Sequence, residues 1–86
     1  MHESGVVCDL MHRVEVEVDG TQGRIAVLTF RVGVLSGVSP ESLRGGVGRY
    51  ALERWGLVPE IVAERVDDPT DPHALGVVLV SVGLEG

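Results

Sequence analysis

The first three residues, Met1, His2 and Glu3, carry the most specific chemistry in this chain. A histidine at position two brings the α-amine of Met1 and the backbone and imidazole nitrogens of His2 within reach of one metal ion. The amide nitrogen or carboxylate of Glu3 can complete a plane. Square-planar nitrogen and oxygen ligation suits Ni(II) or Cu(II) rather than Zn(II) or Mg(II). We therefore take Met1, His2 and Glu3 as a candidate metal site, and the alternative is a frayed terminus that binds nothing.

Composition limits the kinds of partner and site that the chain can have. Its 86 residues make one small domain, and only three are aromatic, so valine and leucine must build the core. The net charge of −6 argues against nucleic acid and anionic membranes as partners, because a basic patch is needed to displace counterions. The single cysteine, Cys8, excludes an intrachain disulfide and a four-cysteine zinc site.

No segment has the pattern of a targeting or membrane sequence. The N-terminus lacks the basic stretch and apolar core of a signal peptide. The longest apolar stretch, near residues 76–84, is too short to span a bilayer. We therefore expect a cytoplasmic protein.

Hydrophobic patterning predicts an α+β domain with the element order α-β-α-β-β. A helix is predicted over residues 5–18 with Ser4 as its cap, although residues 14–18 also alternate as a strand would. A buried strand follows over 24–33. Ser39 and Pro40 then open a second helix that ends at Gly56.

Two further strands are predicted over residues 58–66 and 74–84, on either side of an acidic, turn-rich loop. Because the loop is short, we expect these strands to form an antiparallel hairpin. The resulting fold is a small three-stranded, mainly antiparallel sheet with two helices on one face. The second helix contains Gly45, Gly46 and Gly48, so either another element packs closely against it or it is frayed there.

Two segments, residues 1–3 and 32–44, occur together at a separation that is typical of one known family. The second segment is Val-Gly-Val-Leu-Ser-Gly-Val from Val32, followed by Pro-Glu-Ser-Leu-Arg from Pro40. With these segments the chain resembles the HypA/HybF family, the nickel metallochaperones of hydrogenase maturation. In that family the first strand runs into a Gly-x-Leu-Ser-Gly-Val turn and then into a helix. The resemblance covers residues 1–86 as the family's nickel-binding domain.

The resemblance implies nickel as the bound metal, with Met1 and His2 as primary ligands and Glu3 as a further ligand. It also implies two partners, a GTPase nickel chaperone and the hydrogenase large subunit. Family members insert a zinc domain with two Cys-x-x-Cys pairs between the last two strands, whereas only residues 67–73 stand there in this chain, so we expect no structural zinc.

Without the zinc domain, the resemblance leaves three roles open. The chain is a minimal nickel carrier, a paralogue that serves another metalloenzyme, or a metal-free protein-interaction or scaffolding module that kept the fold.

Other candidate chemistry is weaker. Cys8 and His12 are four residues apart and share a helix face, where they can bind a soft metal, although such a cysteine is more often a small core residue. The acidic residues of the loop 67–73 lack the spacing of a calcium-binding loop, so we expect a solvated turn, with His73 in solvent. No serine has a histidine base placed by a motif, and no phosphate-binding loop is present, so we expect no enzyme.

The pattern of the strands predicts self-association. Residues 76–82 are apolar on both sides of the last strand, and in the first strand Ile25 and Val27 oppose Leu28 and Phe30. A sheet with helices on one face would then expose an apolar surface, which monomers rarely leave bare. We expect a homodimer or a permanent partner on the sheet, with edge-strand pairing as one route. The alternative is that loops fold over the open face.

Overall fold

The computed structural model describes residues 3–20 and 23–85, with side chains from residue 5 onward in these ranges. Its elements are α1 (Glu3–Val18), β1 (Arg24–Gly33), α2 (Pro40–Trp55), β2 (Glu60–Val66) and β3 (Val77–Glu85). The α+β class and the element order are therefore confirmed. Within the described residues, no helix is long and apolar enough to cross a membrane.

The first segment of the chain is helical, including the part that alternates as a strand would. Its buried residues recur at helical spacing, and they are Val7, Leu10, Met11 and Val14. Val16, on another side of the helix, is 62% exposed. Packing of the apolar stripe outweighs the poor helix propensity of valine. The helix begins at Glu3, two residues before the predicted start, so Ser4 lies inside its first turn and the predicted Ser4 cap is wrong.

The second helix begins and ends at the predicted residues. The backbone N–H of Ser42 donates to Ser39 Oγ at 3.1 Å, and Pro40 occupies the first turn. Gly56 ends the helix in a left-handed conformation with φ +75°, and its N–H donates to the carbonyl of Leu52 at 3.0 Å. The residues that α2 buries are Leu43, Val47 and Ala51.

The glycines of α2 do not interrupt the helix. A Cβ atom added at Gly46 would lie 2.8 Å from Cγ2 of Val7, so α1 approaches α2 at this point too closely for a side chain. At Gly48 an added Cβ would make ordinary contacts, the nearest at 3.6 Å, and at Gly45 it would meet open space. Close packing, rather than fraying, therefore accounts for one of the three glycines.

The three strands form a mixed sheet in the order β2-β1-β3. β1 is parallel to β2 and antiparallel to β3, so the predicted hairpin of β2 with β3 is wrong, and the sheet is mixed rather than mainly antiparallel. The reason lies in α2, which carries the chain back so that β2 starts at the same end as β1 and takes one edge beside it. β3 then pairs on the other edge of β1.

The loop over residues 67–76 connects the two edges of the sheet and crosses the end of β1 at Gly33. Backbone atoms of His73 and Ala74 occupy the space that a Cβ of Gly33 would need, so only glycine fits there. The N–H of Leu35 donates to the carbonyl of Ala74 at 2.8 Å, and the N–H of Gly33 donates to that of Gly76 at 2.9 Å. These bonds hold residues 74–76 in the turns of the loop, so the predicted strand start at residue 74 is wrong, and β3 begins at Val77.

β1 and β3 each contain one extra residue, Ala26 in β1 and Val80 in β3, judged from the shifts in their pairing. Each bulge reverses the alternation of the side chains beyond it. Ile25 and Val82 therefore pack against the helix-covered core, although simple alternation places both on the open face. Leu84 lies directly opposite Ile25, on the same side of the sheet. The predicted two-sided apolar pattern is therefore wrong beyond the bulges.

Both helices contribute to one core with alternate residues of β1, namely Leu28, Phe30 and Val32. The opposite, open face of the sheet is mixed in character. The central strand presents Thr29 and Arg31 there, and Arg31 is flanked by Glu64 and Val78. The loop 67–76 covers the end of this face at Gly33. A continuous apolar docking face is therefore interrupted at its centre, and a partner on this face stays a prediction.

Candidate metal site and its surroundings

The predicted metal site lies at the edge of the described part of the chain. Met1 and His2 lie outside the described residues, and Glu3 is described only through its backbone, as the first residue of α1. Among the described side chains of α1, the first that is buried is Val7, which packs against Gly46. The helix that begins at Glu3 is therefore anchored to the core about one turn later.

The other potential metal ligands are not assembled into a site. Cys8 and His12 are both exposed on α1, and His73 is exposed in the loop 67–76. Among the residues that the structure describes, no three histidine, cysteine or acidic side chains lie close enough to hold a metal ion. Cys8 is therefore not the small core residue that was the alternative prediction.

The carboxylates of the loop 67–76 organise its turns. Asp68 Oδ1 accepts hydrogen bonds from the backbone N–H of Thr70 at 2.9 Å and from its hydroxyl at 2.6 Å. The Thr70 hydroxyl, followed by its N–H, lowers the pKa of the Asp68 carboxyl below its usual value. Asp71 Oδ1 accepts from the N–H of His73 at 2.8 Å. These contacts agree with the predicted turn rather than with a calcium site.

A polar cluster that the sequence did not reveal joins the two helices around Glu15. The hydroxyl of Tyr50 donates to Glu15 Oε1 at 3.0 Å, Arg54 Nη2 lies 3.2 Å from Oε2, and the indole N–H of Trp55 donates to Oε2 at 3.4 Å. The three donors come from the last turns of α2. The spacing of Tyr50 and Arg54 indicates a shared helix face, but no pattern in the sequence tells which carboxylate meets them.

The ionisation of Glu15 and Tyr50 reflects this cluster. Burial raises the pKa of the Glu15 carboxyl, but the three donors and the charge of Arg54 outweigh it, so the pKa lies below its usual value. Burial, and then the hydrogen bond to Glu15, raise the pKa of Tyr50. Glu15 is thus held as a carboxylate and Tyr50 as a neutral donor. This arrangement fixes the helices to each other through Glu15.

An open groove borders the first turns of α1, close to the candidate metal site in sequence. Its volume is about 470 Å³, and its walls are α1, the turn over residues 36–38 and residues 75–77. Asp9 and Arg13 supply charges on the helix wall. Leu75 is 78% exposed on the opposite wall. The groove offers a mixed apolar and charged surface rather than an enclosed cavity for a small molecule.

Comparisons with protein-family models, with curated proteins and with solved structures give no match. The fold therefore adds no family assignment, and the resemblance to the HypA/HybF family stays a prediction from the sequence. The fold and the candidate site define a small α+β domain whose first helix begins at Glu3, the last residue of the candidate metal site.

Proposed function

We propose that this chain is a cytoplasmic nickel-binding metallochaperone, an accessory protein for the maturation of a metalloenzyme such as NiFe hydrogenase. The observation that carries the proposal is the combination of Met1-His2-Glu3 with the Gly-Val-Leu-Ser-Gly-Val turn that starts at Gly33. The order α-β-α-β-β is consistent with this proposal, because the turn lies between β1 and α2, where the resemblance requires it.

The proposed ligands need no tertiary contact to come together. The amine of Met1, the two nitrogens of His2 and a donor of Glu3 belong to consecutive residues, so the chain itself sets their spacing. All of them bind metal in their deprotonated form. Because the amine, imidazole and amide groups lose protons on binding, binding releases protons and strengthens with pH. The site uses a free α-amine at Met1, which a tag or acetyl group would remove.

The proposed partners follow from the resemblance. They are a GTPase nickel chaperone, which handles the metal, and the hydrogenase large subunit, which receives it. The groove beside the first turns of α1 supports this role, because a partner seated against Val6 and Leu75 would stand near the N-terminal end of the helix. No structural zinc takes part, since residues 67–73 stand in the place of the zinc domain.

The test is a titration of Ni(II) into protein that has a free Met1 amine. Calorimetry and the visible absorption of square-planar Ni(II) monitor the binding. The variant is His2→Ala, with His12→Ala and His73→Ala as matched controls that also lose one imidazole. Because even residues that only support metal ligands contribute about 10–100-fold in affinity, we expect His2→Ala to lose about 100-fold or more. The two controls should bind as the wild type does.

Equal binding by the wild type and His2→Ala, or no binding above that of a free peptide, would overturn the nickel-carrier proposal. An N-terminally acetylated protein provides an independent check, because it keeps His2 but loses the amine.

A metal-free interaction module is the second candidate. The observation that favours it is that a short loop, folded onto Gly33, stands where the HypA/HybF family has its zinc domain. This candidate predicts that His2→Ala leaves the cellular role intact while changes on the sheet abolish it. A genome neighbourhood without any nickel enzyme would support it.

A further inference from the structure

The two free edges of the sheet differ in their protection against pairing with another chain. β2 follows Pro59 and carries Glu60, Glu64 and Arg65 within seven residues. β3 is nine residues long, and it has no proline and no charged residue before Glu85. Exposed strand edges pair with other strands unless charges, prolines or distortions prevent it. Up to Glu85, the β3 edge has neither a charge nor a proline.

A bulge limits which part of β3 can pair. The extra residue Val80 bends the strand near its middle, and this interrupts pairing along its whole length. Beyond the bulge, residues 81–85 form a segment of β3 without an extra residue of its own. We call residues 81–85 the β3 tail.

The β3 tail is poorly covered by the rest of the chain. Leu84 lies on the helix side of the sheet opposite Ile25, and yet it is 42% exposed. Val82, on the same side, packs against the core but is not fully buried. The apolar side chains of the tail thus have neighbours in β1 on one side, and they have no neighbouring strand on the other side, at the free edge of the sheet.

We infer that the β3 tail pairs in antiparallel fashion with the same segment of a second copy, about a two-fold axis at Gly83. Directly opposite residues in such a pair lie on the same face of the sheet. Val82 then meets the partner's Leu84 on the helix side, and Ser81 meets the partner's Glu85 on the open side. The two three-stranded sheets become one continuous sheet with apolar contacts on the side where Leu84 is exposed.

Charge decides in favour of a second copy at β3 and against one at β2. In the β3 pair the two Glu85 carboxylates lie at opposite ends, and each is opposite the hydroxyl of Ser81. The pairing therefore brings no two carboxylates together, although the chain has a net charge of −6. The same operation on β2, about its middle residue Ala63, places Ile61 opposite Arg65 and Val62 opposite Glu64. Each of those pairs sets an apolar side chain against a charge, so β2 is not complementary to itself in this register.

Sedimentation velocity in reducing buffer, which keeps Cys8 from forming disulfides, tests this inference. We expect the wild type to dimerise with a dissociation constant on the order of micromolar, about −8 kcal/mol. Leu84→Lys places a charge in the proposed interface and should weaken the dimer about 10-fold or more. Val62→Lys makes a similar change on β2 and should leave the dimer unchanged. Circular dichroism verifies that both variants are folded.

A cross-link tests the register. In a Cys8→Ser background, Gly83→Cys should form a covalent dimer under mild oxidation, whereas Val62→Cys should not. The new side chain fits, because a Cβ at Gly83 comes no closer than 3.4 Å to another atom, Cβ of Val27. If the wild type stays monomeric at about 1 mM, the inference is overturned, because a dimer with a binding free energy of about −4 kcal/mol or stronger would be detected at that concentration. A dimer that survives Leu84→Lys, or one that Val62→Lys disrupts, also overturns it.

Discussion

The two ends of the contact between α1 and α2 are built in different ways. At the glycine end, Val7 of α1 lies so close to Gly46 of α2 that a Cβ there would be 2.8 Å from Cγ2 of Val7. At the carboxylate end, Glu15 of α1 accepts hydrogen bonds from three residues of α2, which are Tyr50, Arg54 and Trp55. The contact at the glycine end requires a residue without a side chain at position 46, and the contact at the carboxylate end requires a charged acceptor at Glu15.

The two ends also differ in how water affects them. Val7 is 7% exposed, so its contact with Gly46 is insensitive to salt and pH. In the ion pair at the carboxylate end, the side chain of Arg54 is 59% exposed and that of Glu15 is 26% exposed, so solvent screens their attraction. Arg54 also lies 5.6 Å from the ring centre of Tyr50, which adds a cation–π contact. The close contact should therefore control stability more strongly than the polar cluster does.

The largest effect is expected at the glycine end, from Gly46→Ala compared with Gly45→Ala. Both changes improve helix propensity by the same amount, so the difference between them isolates the contact with Val7. Because overpacking costs about 1–3 kcal/mol, Gly46→Ala should be less stable than Gly45→Ala by about that amount. Urea denaturation measures the free energy of unfolding of each variant.

A double-mutant cycle identifies the cause of this difference. Val7→Ala removes the methyl groups that Gly46→Ala would meet, so the two changes together should be less destabilising than the sum of their separate effects. Strict additivity would show that Val7 and Gly46 do not contact each other as described.

A smaller effect is expected at the carboxylate end, from Glu15→Gln. The amide can still accept a hydrogen bond from Tyr50, but the attraction to Arg54 is lost, so we expect a loss of about 1 kcal/mol. Glu17→Gln is the matched control, because Glu17 is an exposed glutamate on the same helix. Equal effects of the two substitutions would mean that the cluster around Glu15 adds nothing to stability beyond the effect of removing one negative charge from the chain.

The same cluster should make stability depend on pH in acid. Because the pKa of Glu15 in the folded chain is lowered from the ordinary value of 4.5, its contribution is fully present above pH 4.5. That contribution is lost as the pH falls through the lowered pKa. The difference in unfolding free energy between the wild type and Glu15→Gln should therefore shrink below pH 4.5. A difference that stays constant down to pH 2 would contradict the prediction.

The smallest effect is a gain, from Gly45→Ala compared with the wild type. A Cβ at Gly45 meets nothing within 4 Å, so only helix propensity changes. Alanine in place of a helical glycine should stabilise the protein by about 0.5–1 kcal/mol, which thermal unfolding can detect. A loss of stability would reveal that Gly45, like Gly46, faces a close neighbour.

Local sequence signals predicted the ends of α2 and β1 well, whereas α1, β2 and β3 begin at Glu3, Glu60 and Val77 rather than at the predicted residues 5, 58 and 74. Ser39 and Pro40 mark the start of α2, and Gly56 marks its end, because capping and backbone conformation depend on neighbouring residues. The strand over residues 24–33 was predicted with its observed bounds. The sequence also favoured a helix over residues 5–18, although its valines suit a strand, and the buried stripe of α1 shows why the helix forms.

The polar sites differ in how far the sequence could reveal them. The tripeptide of Met1, His2 and Glu3 is visible because its ligands are consecutive, and its metal binding stays a prediction. The cluster around Glu15 was invisible, because Glu15 and Arg54 are separated by 39 positions and meet only when both helices pack on the sheet. The spacing of Cys8 and His12 suggested a ligand pair, but in the described structure no third ligand joins them.

The sequence by itself determined the class of the fold and the order of its elements, since these depend on periodicity and caps. Only the tertiary structure decided the strand order, the bulges at Ala26 and Val80, and the crossing of the loop 67–76 at Gly33. Strand neighbours depend on where α2 returns the chain, and side-chain direction beyond a bulge depends on pairing with another strand. Neither strand order nor side-chain direction is encoded within the segment that it affects. Together they decide which strands form the edges of the sheet and which side chains those edges expose.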